Sequence, residues 1–457
     1  MNPPAEASPA GARLNLRRLF ALGGTRTGVL GLTTIGSLVV RTLSSMALTR
    51  LLRPSDFGIV GIIGSVFYTA SMFTDLGFQA FLVRHERTDD RHFRNVIWTI
   101  HAKRGAALFI IVAAASPIIS WILDKPSIAL PLAVASATFA FEGLASLSLI
   151  TALRRDKSRE LSLLELALQI FQTAAAILLA LWWHNAWAMI AAMVLQSAMR
   201  TFLSYRLFDD SSQSLARDPE IFREFLAWSR IVLVSSALTL LIAQNQLILA
   251  RLFSLQEFGL YSLAISIAMA PQRFATSYVT KVVFPVYAST WREWPAALGN
   301  VYYNVRRRAS ALYAFGCGGL IGGAPLLFAV LYDPRYQSAA LFMSIIMVSG
   351  ALLLPNFAAT ELLTAIGDIR GTLRMNVVRL AWLVVAIPVG YLAMGILGIV
   401  IAVGTIEVPA MLYCWLLLHR LRILRMREEL LYLAITGAGV GIGFAVSTAA
   451  LRLVPHL

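Results

Sequence analysis

The chain has 457 residues, 58% of them hydrophobic and only 14% charged, and 39 Lys and Arg outweigh 24 Asp and Glu for a formal charge of +15. A soluble domain is about one quarter charged, so a soluble globule of this size is excluded. A soluble nucleic-acid binder is excluded too, because its basic residues would cluster among polar and aromatic ones. Here the cations sit between long apolar runs, which is the pattern of an integral membrane protein.

In chain order, residues 1–26 read as a cytoplasmic tail that opens on the disordered-looking MNPPAEASPAGA. No cleavable signal peptide is expected, because the first apolar run is too long for one. A helix crosses a bilayer core with about 20 apolar residues. By that measure the spans fall at 27–50, 57–82, 105–123, 127–152, 162–183, 186–208, 228–251, 258–282, 309–332, 338–365, 373–396, 397–419 and 430–454. The split of 373–419 rests on Gly395 and Gly398. The longest stretches between spans, 209–227 and 283–308, leave no room for a soluble catalytic domain. The second carries Trp291, Trp294, Tyr302 and Tyr303 beside Arg306–Arg308, as an interfacial amphipathic helix would. Cys317 and Cys414 lie inside apolar runs, and the six histidines form no HxxxH or HExxH. Neither a metal, a cofactor nor a catalytic residue is expected.

Lys and Arg favour cytoplasmic loops. With the N-terminus inside, 32 of the 39 basic residues fall on or near the inner face and six outside, and Arg41 is left within span 1. The C-terminus then falls outside.

The sequence also repeats. RLLRPSDFGIVG at 50–61 returns as RLFSLQEFGLYS at 251–262, pairing Arg50 with Arg251, Asp56 with Glu257, Phe57 with Phe258 and Gly58 with Gly259. LITAL at 149–153 is echoed more weakly by LLTAI at 362–366. Both echoes fit a duplication of six spans. Six is even, so the two copies run in the same sense about an axis along the membrane normal. The expected fold is all-α, with two pseudo-symmetric six-helix lobes around a central cavity. The N-lobe covers 27–223 and the C-lobe 224–427, and one additional C-terminal span lies in 428–457.

Several segments carry a family resemblance: RLLRPSDFGIVGI (50–62), FTDLGFQAFLVR (73–84), LRRDKSRELSLLE (153–165), LARLFSLQEFGLYSLA (249–264), APQRF (270–274) and KVVFPVYA (281–288). Their order and topology resemble the polysaccharide transporters, or Wzx-type flippases, of the multidrug/oligosaccharidyl-lipid/polysaccharide exporter superfamily. The chain departs from that pattern with Asn245 where an Asp is common, Ala250 in place of a Gly, and thirteen spans rather than twelve or fourteen. The resemblance implies a multi-pass protein of the cytoplasmic (inner) membrane. Such a protein moves undecaprenyl-pyrophosphate-linked oligosaccharides to the outer leaflet by alternating access, for exopolysaccharide, capsule or lipopolysaccharide O-chain assembly. Its partners would be that glycan, membrane lipids, and a polymerase and glycosyltransferases. A cation-coupled drug antiporter of the same superfamily is the alternative, with Asp75 and Glu142 as its acids. A polymerase or glycosyltransferase acting on the same carrier would need a large outer loop, which is missing. The acidic pairs Asp89-Asp90 and Asp209-Asp210 belong to no nucleotide-binding fold.

Charges at membrane depth cost about 2.5–3.5 kcal/mol on insertion scales and so face a cavity or a partner. Arg41 is the first candidate cation for a pyrophosphate; pairing with a carboxylate or snorkelling is its alternative. Arg200, Arg273, Lys281 and Arg379 lie nearer the inner face, where they suit pyrophosphate entry or ordinary positive-inside anchoring. Gln244, Asn245 and Gln246 form a polar knot whose amides suit sugar hydroxyls. Asp75, Glu142, Glu361 and Glu407 are candidates for gating or for H+ or Na+ coupling, with ion pairing inside a lobe as the alternative.

Overall fold

The computed structural model describes residues 26–74, 77–154, 157–208, 212–230 and 245–453. No strand occurs among them. The chain is an all-α, multi-pass membrane protein, and ten helices among the described residues are long and apolar enough to cross a membrane. Helices at the thirteen expected spans are labelled α1 to α13, and α6, α7 and α8 are not among those ten. The N-lobe holds α1 (Arg26–Leu51), α2 (Pro54–Thr74), α3 (Arg91–Ile122), α4 (Pro126–Leu144), α5 (Ser158–Trp183) and α6 (Trp187–Arg206). The C-lobe holds α7, described over Asn245–Leu252, then α8 (Leu255–Tyr278), α9 (Leu298–Leu331), α10 (Ala339–Ala365), α11 (Ile369–Met394) and α12 (Ile396–Arg420). The final helix is α13 (Met426–Leu453).

Within the N-lobe α1 packs on α5, α5 on α6 and α3 on α4; within the C-lobe α10 packs against α8, α9 and α12. The α11–α12 split falls at Gly395, whose φ of 60° is open to glycine. Beyond it Gly390 and Gly398 bring the two backbones into near contact.

Two expected spans are shorter than their apolar runs. Span 2 was expected over 57–82, but α2 is described to Thr74, Gly77 adopts φ 67° and a separate helix, Phe78–Arg84, follows. Span 4 was expected over 127–152, but it stops at Leu144, where Ala145 turns extended. That break is held by α6: Ser204 Oγ accepts from the Ser146 amide and the Ser148 hydroxyl donates to the Ser204 carbonyl, both at 2.9 Å. Buried serines replace the lost helical bonds, so hydropathy does not register the break.

The segment 283–308 also differs from a surface helix. Phe284–Glu293 forms a short helix, Pro295–Ala297 a 3-10 turn, and the remainder is the N-terminal part of the long α9. Trp291 and Trp294 are exposed, but Tyr302, Tyr303 and Arg306 are buried. Arg306 pairs with Glu429 of α13 and lies against the rings of Tyr302, Tyr303 and Tyr432. Farther along, Gly318 and Gly322 of α9 meet Gly439 and Gly443 of α13 backbone to backbone. Helix α13 is therefore seated on α9 along its length, by a small-residue stripe at one end and a buried ion pair at the other.

The connection between the lobes is docked onto the end of the N-lobe opposite the α1–α2 turn. Asn95 Nδ2 donates to Ser214 Oγ at 2.9 Å, Thr99 Oγ1 accepts from the Ala216 amide at 3.0 Å, and His85 Nε2 lies 2.8 Å from Glu224 Oε1. The helix 219–230 crosses the expected lobe boundary at 223/224 and buries Ile221 and Phe225 against Phe78, Phe81 and Phe93. Asp218 caps it, accepting from the amides of Glu220 and Ile221. Those backbone bonds hold the Asp218 carboxyl below its usual range. A depressed carboxylate contributes stability that is present above the unfolded pKa and lost as pH falls through the folded one. The protection of the Glu220 and Ile221 amides, measured against their intrinsic exchange rates at each pH, should therefore fall only below about pH 4. Asp218→Asn should remove that pH dependence.

The duplicated motif is where the lobes meet. Helix α2 crosses α8 with Gly58 against the carbonyl of Leu255 and Gly259 against the carbonyl of Pro54. Each contact is the copy of the other. The acid of each copy reaches back to its own helix start: Asp56 accepts from the Arg53 amide at 2.9 Å, and Glu257 from the Ser254 amide at 2.8 Å. Beside the crossing, Ser65 Oγ donates to Gln246 Oε1 at 3.0 Å, Tyr336 Oη to the Leu52 carbonyl at 3.0 Å, and Arg251 pairs with Asp124 at 3.0 Å. Arg335 donates to the carbonyls of Thr49 and Arg50 at the end of α1. These contacts form one seam at the Arg50–Gly58 end of the bundle.

Candidate functional site

On the side opposite the seam the lobes part around a cavity of ≈ 700 Å³. Its N-lobe wall is α1 from Thr33 to Arg41, α5 from Leu161 to Gln172, and Gln196 of α6; its C-lobe wall is Ala270, Arg273, Phe274 and Ser277 of α8. A recess of ≈ 240 Å³ shares Arg41, Gln169 and Gln172 and continues past Ser44, Ser45 and Thr173. Ser162, Glu165, Gln169, Gln172 and Thr173 recur at helical spacing, so one polar stripe of α5 faces the opening.

Arg41 lies ten residues before the end of α1, about 15 Å along the helix from the seam. It is exposed within the cavity and makes no ion pair or side-chain hydrogen bond to a described residue. Arg273 lines the same cavity and is likewise unpaired among the described residues. The charge of Arg273 bears on Arg41 through space. Two like charges facing one water-accessible space create a field for an anion. Glu165 also faces the cavity, but its charge is matched by Arg200, Nη2 to Oε1 at 2.7 Å.

The other candidates separate from this pair. Arg379 does not reach the cavity; it forks onto Glu407, with both N–O distances 2.9 Å. Asn356 donates to Glu407 Oε2 at 2.7 Å and to the Glu407 carbonyl at 2.9 Å. These three residues tie α10, α11 and α12 together inside the C-lobe. The alternative of an ion pair within a lobe describes Glu407, and its partner Arg379 is neither in the cavity nor an ordinary surface anchor. Replacing Arg379 with alanine would strand a buried carboxylate, at a cost of about 3–5 kcal/mol. The expected outcome is a large loss of thermal stability in detergent, relieved when Glu407→Leu is added.

Lys281 is exposed in a π-turn, Val279–Val283, just beyond α8, outside the residues that line the cavity. Glu142 is exposed near the end of α4, within reach of the charges of Arg200 and Arg104. Glu361 is half-buried on α10 and has no ion pair among the described residues. Gln246 belongs to the seam. Gln244, Asp75 and the side chain of Asn245 lie outside the described residues.

Two parallel bundles meet at the seam and part at the other end around a cationic cavity. The fold matches a solved lipid II flippase MurJ in an inward closed conformation, with TM-score 0.66 and 12% identity over 92% of each chain. It also matches an inward-facing multidrug resistance MATE family transporter of the MOP superfamily, with TM-score 0.60 and 14% identity over 85% of this chain and 98% of that one. Residues 47–340 match the polysaccharide biosynthesis protein family, and the chain belongs to it. A curated relative, the succinoglycan biosynthesis transport protein ExoT of Rhizobium meliloti (strain 1021), is 21% identical over 354 residues, covering 74% of this chain and 68% of its own length.

Proposed function

We propose that the protein is a flippase for undecaprenyl-pyrophosphate-linked oligosaccharides, carrying them from the inner to the outer leaflet of the cytoplasmic membrane for surface polysaccharide assembly. The observation that carries this reading is the pair of arginines, Arg41 and Arg273, unmatched among the described residues in a cavity between the lobes. Guanidinium forks suit a pyrophosphate, and the surrounding amides and hydroxyls suit a hydrated glycan. The substrate leaves chemically unchanged, so no enzymatic step is assigned. The N-terminus lies inside, which sets the cavity mouth facing the cytoplasm and the seam facing out. Coupling to H+ or Na+ falls to Asp75, Glu142 or Glu361, because Glu407 is already held by Arg379.

The antiporter alternative fits less well. A cationic drug needs an unmatched acid, and the one carboxylate among the cavity-lining residues, Glu165, is neutralised by Arg200. The proposed flippase is tested by deletion in a strain without a paralogue: lipid-linked repeat units should accumulate on the inner leaflet. Normal surface polysaccharide in that strain would refute it.

A further inference from the structure

Phe274 is an apolar ring in a polar place. It lines the cavity one residue from Arg273, and 55% of its surface is open. Its ring lies 12° from parallel with Tyr278 and 21° from parallel with Tyr313, at centroid distances of 6.0 and 6.4 Å. Tyr313 is buried and donates to the Gly350 carbonyl at 2.6 Å, which anchors the aromatic group in the C-lobe. Phe274 is the exposed member of that group. Across the cavity, Gln169 is occupied with Ser37, its Nε2 donating to the Ser37 carbonyl at 2.9 Å. Gln172 and Gln196 face the same space with no hydrogen bond to any described residue. A phosphate group has use for neither an aromatic face nor an amide carbonyl acceptor. A pyranose uses both: one face is lined with C–H groups that pack on an aromatic ring, and its hydroxyls donate to amide oxygens and accept from amide nitrogens.

We propose that Phe274, Gln172 and Gln196 form a sugar subsite that reads the glycan next to the pyrophosphate. This deepens the flippase reading and rests on it. The C-lobe contributes a phosphate cation and a sugar platform on adjacent residues of α8. The N-lobe contributes the second cation and the uncharged hydrogen-bonding wall. The bound ligand therefore touches both lobes, and its first sugar units lie between them.

The test compares short-chain polyprenyl pyrophosphate alone with the same lipid carrying one or two sugars, each titrated against the full-length protein in detergent. Phe274→Leu should weaken the glycosylated ligand about tenfold, the scale of one lost aromatic contact plus its buried area, and leave the bare pyrophosphate unchanged. Phe274→Tyr should restore binding. Gln172→Leu with Gln196→Leu should act in the same direction. Equal weakening of both ligands by Phe274→Leu would assign the ring to the lipid tail and overturn the subsite. Unchanged affinity for both would also overturn it. Arg41→Ala and Arg273→Ala should weaken both ligands; if neither does, the flippase reading fails independently of the sugar subsite.

Discussion

Export should stop when Arg41 and Arg273 are both replaced by alanine, while the protein should still insert and fold. Each guanidinium would make charge-assisted hydrogen bonds to a phosphate, worth about 1.5–3 kcal/mol, so each single variant should bind pyrophosphate-linked substrate roughly ten- to a hundredfold more weakly. Neither arginine has a protein partner among the described residues, so their removal strands no carboxylate. Thermal stability should therefore hold or rise slightly, in contrast to the loss expected for Arg379→Ala. Arg41→Lys should recover only part of the activity, because an ammonium lacks the planar fork. The readout is lipid-linked glycan in the outer leaflet together with the melting temperature of the purified protein. Wild-type export by the double variant would remove both residues from the site.

A side chain at Gly259 should trap the transporter in the opposite state. A Cβ there collides with the backbone carbonyl of Pro54, and one at Gly58 with that of Leu255, so neither clash is relieved by rotating a side chain. Overpacking of this kind costs about 1–3 kcal/mol. Only the state with a closed seam bears that cost, so the balance between inward- and outward-facing forms moves by roughly ten- to a hundredfold. Gly259→Leu should lower export steeply. It should also expose Ser262, which meets Gly61 across the seam, to a membrane-impermeant thiol reagent when position 262 is made cysteine. Cys317 and Cys414 are buried and give a low background. Labelling no higher than in the Gly259 parent would mean that the crossing is packing rather than a gate.

The span pattern was legible because hydropathy and the Lys/Arg bias act residue by residue. The Gly395 split was legible because glycine marks its own turn. The breaks at Gly77 and after Leu144 were not, since the first falls inside a stretch read as one span and the lost backbone bonds at the second are taken over by Ser204, sixty residues away in the chain. The charges were legible as anomalies but not as pairs. Arg379 with Glu407, Arg200 with Glu165 and Arg306 with Glu429 join positions on different helices, and nothing local says which acid meets which base. Arg41 stood out because it is a lone cation deep in a span. Gln172 and Gln196 were overlooked because uncharged amides barely lower a hydropathy average. The recurrence of polar residues on α5 at 162, 165, 169, 172 and 173 was the signal that could have found the first of them.

The crossing at Gly58 and Gly259 has the form of an isologous contact, in which each partner offers the other the same patch. Residue 54 of one copy meets the glycine of the second, and residue 255 of the second meets the glycine of the first. A patch that recognises itself needs no covalent link to assemble. A lone six-helix ancestor bearing R-L-x-x-x-x-[D/E]-F-G would have met its own duplicate along this edge, with both copies inserted in the same sense. Fusion would have preserved that dimer and freed the two halves to diverge, so that the wall around Gln172 and the wall around Phe274 no longer resemble each other.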